Sequence, residues 1–135
     1  MGDWITPDAA GRLLVTAFFA VVFGQSGIDK LLDRKGNLEY LREHFRESPF
    51  PPSSIPWLLS GLTALECAAA LLCALGILSG SFFSRGWNLG GSGVATAGLA
   101  LLALMFGQRL AKDYAGAAVV ASYFAVALLG ILLYA

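Results

Sequence analysis

Four long apolar runs constrain this chain more than any other feature. They extend from about Ala9 to Ile28, Pro56 to Leu78, Trp87 to Gly107 and Ala115 to Tyr134. Each reaches the roughly 20 apolar residues that a helix needs to cross the hydrocarbon core of a bilayer. A backbone in lipid must satisfy its own hydrogen bonds, so the runs predict helices rather than strands. The expected fold is an all-α integral membrane four-helix bundle, with residues 1–135 as a single domain.

Composition points the same way. The chain is 57% hydrophobic and 13% charged, against about a quarter charged in soluble domains, and its mean hydropathy is +0.70. The formal net charge is zero, which gives no basis for binding nucleic acid. Asp3 and Asp8 stand where the basic region of a signal peptide belongs, so the first run is read as a mature helix.

The polar segment between the first two runs, "DKLLDRKGNLEYLREHFRESPFPPSS", holds a further helix at about residues 37–47. Leu38, Leu41 and Phe45 recur at helical spacing, Asn37 can cap the start, and Pro49 ends the run. Glu39, Arg42, Glu43 and Arg46 fill the other face, so an amphipathic helix lying in the membrane interface is expected. His44 is the sole histidine and is read as an interfacial residue. No metal site is expected, because no second histidine completes one. Cys67 and Cys73 are six apart on one predicted helix, which is beyond disulfide reach and unlike a redox C-x-x-C pair.

Four antiparallel spans place the segment 29–55 and the short "GQRLAKDYAG" connection on one membrane face. That face gathers Lys30, Arg34, Lys35, Arg42, Arg46, Arg109 and Lys112, against Arg12 and Arg85 on the other. By the positive-inside rule it is cytoplasmic, with both termini outside.

Glu66 lies in the middle of the second run. At 1.5 Å per residue it is about 15 Å from the polar face, near the bilayer centre. Thr16, Thr96, Ser122 and Tyr123 are expected at about 10 to 18 Å, forming a polar layer with it. Thr63, Ala69, Ala70 and Cys73 share its helix face, whereas Leu58, Leu65 and Leu72 line another, so Glu66 is expected to point into the bundle and the leucines toward lipid. "GGSGVATAG" and Ala117, Ala121 and Ala125 offer smooth surfaces for close helix approach. An unpaired carboxylate at that depth costs about 3 kcal/mol or more, so Glu66 should be protonated, hydrogen-bonded or paired with a cation. Intramembrane ionisable groups mark sites by default. The candidate ligand-binding or proton-linked residues are therefore Glu66, Thr16, Thr96, Ser122, Tyr123 and Gln25. Lys30, Gln108, Arg109, Lys112 and Asp113 form a polar mouth, and Asp113 also suits the cap of the last helix.

The stretches "FGQSGIDKLLDRKGNLEYLREHF", "ALECAAALLCALG" and "GQRLAKDYAGAAVVASYFAVALLG" together resemble DoxX-like membrane proteins over nearly the whole chain. The resemblance implies a small four-helix protein of the bacterial inner membrane. The family is named for a thiosulfate:quinone oxidoreductase, and its members are often linked to membrane redox systems. It therefore implies an accessory or anchoring subunit, with a quinone or other hydrophobic molecule, or a lipid, in a central pocket around Glu66. A homo-oligomer is an alternative assembly. Relatives outside bacteria resemble cargo receptors and assembly chaperones, which keeps a structural or assembly role open. A small transporter ranks last, because no internal repeat is visible. The chain has no C-x-x-C pair, no histidine pair for haem and no dinucleotide-type glycine loop, so no self-contained catalytic or electron-carrier motif is seen and no haem is expected.

Overall fold

The computed structural model describes residues 5–135, and every regular element in them is helical. Four long helices and one short one follow in order: α1 (Pro7–Leu32), α2 (Arg34–His44), α3 (Ile55–Ser79), α4 (Leu89–Leu110) and α5 (Tyr114–Tyr134). Single 3₁₀ turns at Pro52–Ser54 and Ser81–Phe83 lead into α3 and follow it.

Local chemistry sets the boundaries. Thr6 caps α1 by accepting from the Ala9 amide, and Pro7 opens the helix where its missing N–H costs nothing. Gly80, at φ 73°, takes the left-handed conformation that closes α3, a turn that any side chain would strain. Asn88 and Asp113 cap α4 and α5 by accepting from the amides of Gly91 and Gly116. The short helix starts at Arg34, not at Asn37, because Asp33 provides the cap, accepting from the Gly36 amide. It also ends earlier than expected, at His44, where Phe45 turns the chain well before Pro49. Asp33 is at once the C-cap of α1 and the N-cap of α2.

Helices α1, α3, α4 and α5 are each long and apolar enough to cross a membrane. Their outer surface agrees with an integral membrane protein: Leu14, Val21, Leu71, Leu78, Leu99 and Leu132 are all exposed, an arrangement that water disfavours and lipid tails tolerate. Trp57 and Tyr114 are exposed at one end of the bundle and Trp87 at the other, where amphipathic rings suit the headgroup level.

Helix α3 packs most extensively on α4 and α1, and α5 covers α4. Glycines set the closest approach: a Cβ on Gly76 would come within 2.7 Å of the Gly90 backbone, and one on Gly93 within 2.7 Å of the Cys73 amide nitrogen. Phe19 and Phe23 stack at 5.9 Å and fill the core with Val94, Ala97, Ala100 and Leu101. The lipid-facing side of α3 agrees with the expected one only at Leu58, which is exposed. Leu71, Leu75 and Leu78 are exposed, while Leu65 and Leu72 are half-buried, because α3 turns that face toward α4. On α5 the packed face is Ala117, Val120, Ala127, Gly130 and Tyr134, whereas Ala121 and Ala125 are exposed.

Candidate functional site: a buried ion pair beside an apolar cavity

Helix α1 continues past Ile28 to Leu32, which makes Lys30 a helical residue. Helical side chains lean toward the N-terminus of their helix, so the Lys30 chain runs back toward the middle of the bundle. Its Nζ donates to Ser26 Oγ, one turn earlier, at 2.8 Å. Small size at Gly27 brings α1 against α3, since a Cβ there would meet Cys67 Sγ at 2.9 Å. This contact sets Glu66, the preceding residue on α3, opposite Lys30.

The two form an ion pair, with Nζ 3.2 Å from Oε1 and donating to Oε2 at 3.4 Å. Glu66 is 1% exposed and Lys30 15%, so the carboxylate is the deeper partner. Glu66 Oε1 is close to the ammonium yet accepts no hydrogen bond among the described residues. Thr63, one turn back on the same buried face, donates instead to the Leu59 carbonyl. Removing one partner of a buried pair leaves the charge of the other uncompensated, which is far costlier than removing both.

A cavity of about 460 Å³ adjoins Lys30, between α2, α3 and α4. Leu58, Leu62 and Leu65 form its α3 wall, and Ala103, Leu104 and Phe106 its α4 wall. Tyr40 and Leu41 of α2 cover it, together with Phe45 and Phe50 from the segment that follows. Its polar groups are few: Lys30, Asn37, His44 and Gln108, besides the Tyr40 hydroxyl and the Trp57 indole. Exposed Trp57, Gly61 and Phe106 stand at its edge, on the outer surface of α3 and α4.

Helix α2 buries no residue fully but is fastened at both ends. Arg34 Nη2 donates to the Pro56 carbonyl at 3.1 Å and to Ser60 Oγ at 2.9 Å. His44 Nε2 donates to Gln108 Oε1 at 2.6 Å and lies 3.8 Å from Asp113 Oδ2. The imidazole also stacks on Tyr40, with ring centres 5.3 Å apart. Phe45 rests on α4 at Gly107, where an added Cβ would lie 3.2 Å from its ring.

The remaining candidate residues do not converge on Glu66. Thr16 is fully buried, but it donates to the Arg12 carbonyl and shares a 2.7 Å hydrogen bond with the Tyr134 hydroxyl, toward the opposite end of α1. Thr96 donates to the Ser92 carbonyl within α4. Ser122 is exposed and donates to the Val119 carbonyl, and Tyr123 is exposed, edge-on to Phe18. Gln25 is exposed on α1. The expected polar layer is thus not one cluster: similar height along the helices does not bring side chains to one azimuth. Among the mouth residues, Lys30 and Gln108 line the cavity, but Arg109, Lys112 and Asp113 do not. Arg109 lies 4.7 Å above the Tyr114 ring, exposed Lys112 takes a left-handed turn at φ 59°, and Asp113 caps α5.

Two participants stand outside the sequence reading. His44 lines the cavity and ties its cover down. Arg12 is 4% exposed near the other end of α1, with Nε donating to the Phe82 carbonyl at 2.6 Å and Nη1 to the Leu133 carbonyl at 3.2 Å. A signal for Arg12 was present, because it falls inside the first apolar run, where the rule that singles out Glu66 applies equally.

The arrangement can seat an elongated apolar molecule and offer its head a few hydrogen-bond donors beside a neutralised charge. Comparisons of the chain with known protein families, with curated proteins and with solved structures give no match.

Proposed function

We propose that this chain is a DoxX-like protein of the bacterial inner membrane that holds a hydrophobic small molecule in the cavity beneath α2, as an accessory or anchoring subunit of a membrane redox system. The observation that carries this reading is the cavity of about 460 Å³ with leucine and phenylalanine walls and the Lys30–Glu66 pair at its side. Ligand pockets commonly measure about 300 to 1,000 Å³ and combine apolar walls with a few placed polar groups. A quinone is one molecule of that kind. In this reading α2 lies in the cytoplasmic interface and both termini are outside, in line with the basic residues gathered at the α2 end. Protein purified in mild detergent is expected to carry a hydrophobic molecule detectable by mass spectrometry of its extract, and Leu62→Trp, which fills the cavity, is expected to lose it. An extract from the parent protein holding nothing that the variant lacks would end the proposal.

A second reading, a structural or assembly role without ligand, is favoured by one observation. The ammonium of Lys30 already neutralises Glu66 inside the protein, so the pair can serve to join α1 to α3 alone.

A further inference from the structure

We infer that the molecule held beneath α2 is an uncharged amphiphile with a hydrogen-bond-accepting head, bound by Lys30 and selected against anions by Glu66, and that it enters sideways from the lipid. This rests on the cavity reading above and names the chemistry that the site accepts.

The argument starts from the donors of one ammonium. Lys30 has three N–H groups, of which Ser26 Oγ takes one and the Glu66 carboxylate another. Lys30 is also part of the cavity wall, so an N–H that these two partners leave over can be offered to a guest. The charge facing that guest is not that of a lysine alone. Glu66, 3.2 Å away and almost fully buried, cancels it, and burial prevents water from screening either partner. An anionic head would have to share a single cation with a carboxylate already in place, and like charges sharing a site disfavour each other. A cationic head would meet the ammonium first, since Glu66 lies behind it and outside the cavity lining. An ester, ketone or similar neutral acceptor needs only the free N–H and disturbs neither charge.

The route follows from the rim. Trp57 and Phe106 are 80% and 62% exposed, and exposed Gly61, which lines the cavity with them, has open space where a Cβ would stand. These residues belong to α3 and α4, the helices whose outer surfaces suit lipid, whereas the end of the cavity away from lipid is covered by α2 and its fastenings at Arg34 and His44. An apolar guest therefore arrives through the bilayer.

The test uses three probes on the same bromine-tipped undecyl chain: a methyl ester, a sulfonate and a trimethylammonium salt. Full-length protein carrying Trp4→Phe and Trp87→Phe, in nanodiscs of zwitterionic lipid, reports through quenching of Trp57. Only the part abolished by excess unbrominated ester counts as binding. The ester is expected to bind at least about tenfold more tightly than either ion. Glu66→Gln, which strips the ammonium of its counter-ion, is expected to tighten sulfonate binding at least about tenfold while ester binding changes less than about threefold. Because that variant leaves a lone buried cation, Lys30→Gln/Glu66→Gln is measured beside it: with no charge left, it should bind the ester and neither ion. A parent protein that prefers the sulfonate or the ammonium overturns the inference while leaving the cavity as a binding site, and so does a Glu66→Gln protein whose ranking is unchanged. Absence of competable quenching with all three probes overturns the cavity reading itself.

Discussion

Helix α1 buries a cation near each of its ends, and the two are neutralised in different ways. Near its start, Arg12 donates to two main-chain carbonyls, those of Phe82 and Leu133. The Leu133 carbonyl belongs to the last turn of α5, where the partial negative charge of a helix end suits a cation. Around it the packing is closed: Gly76 and Gly90 let α3 and α4 touch, and Thr16 joins the Tyr134 hydroxyl. Near its finish, Lys30 faces a side-chain carboxylate, and a cavity of about 460 Å³ opens beside it. Backbone partners cannot be replaced by substitution, whereas a carboxylate can. The closed end is built to hold position, and the open end keeps a charge that a substitution can remove.

Variants can break that contrast, and the largest effect belongs to the closed end. Gly90→Val forces side-chain atoms into the space held by Ser81 and Tyr134. It is expected to destabilise the bundle by about 3 kcal/mol or more, since an overpacked core with no room to relax lies at the top of the usual range. Reversible unfolding in mixed micelles measures this, and a loss below about 1 kcal/mol would show that the end is not tightly closed.

Arg12→Met comes next. It strands the Phe82 and Leu133 carbonyls, for a loss of about 2 to 3 kcal/mol in the same assay. No second substitution restores it, because the acceptors are backbone. The matching experiment on the other pair is Lys30→Met/Glu66→Leu, where both charges leave together. Replacing a buried ion pair by apolar groups is often close to neutral, so a change within about 1 kcal/mol is expected, even though Lys30→Met alone costs about 3. If the double variant is as unstable as the single one, the two cations are equivalent anchors and the contrast fails.

The smallest effect is at the cavity. Leu62→Phe adds volume to a wall with free space, and its expected change in unfolding free energy is about 0.5 kcal/mol or less in either direction. A destabilisation like that of Gly90→Val would mean that the cavity is not open to a larger side chain.

How much of this could be read in the chain differs from one element to the next. The four spans are legible because a length of apolar residues is a one-dimensional signal, and α1, α3, α4 and α5 overlap the expected runs throughout. Their ends shift by a few residues where caps act, as at Thr6 and Asp113. The inward direction of Glu66 is legible too, because Thr63, Ala69 and Cys73 share its face and all are buried. The partner of Glu66 is less so. Whether Lys30 belongs to the loop or to the last turn of α1 decides where its side chain leans, and the four residues from Asp29 to Leu32 are what commit it to the helix. Ser122 and Tyr123 do not join Glu66 for a simple reason: residues at one depth on different helices meet only where rotation about each axis also turns them toward one another. The cavity arises from how α2 rests over α3 and α4, a tertiary arrangement that no local pattern encodes.

One residue, Asp33, separates α1 from α2, and its backbone, at φ −126° and ψ 55°, is the only break between them. The cover of the cavity therefore joins α1 through a single residue, while Arg34 and His44 fasten it to α3 and α4. Asp33 stands three positions from Lys30, so the junction that sets the angle of the roof lies within one helical turn of the ammonium at the cavity wall.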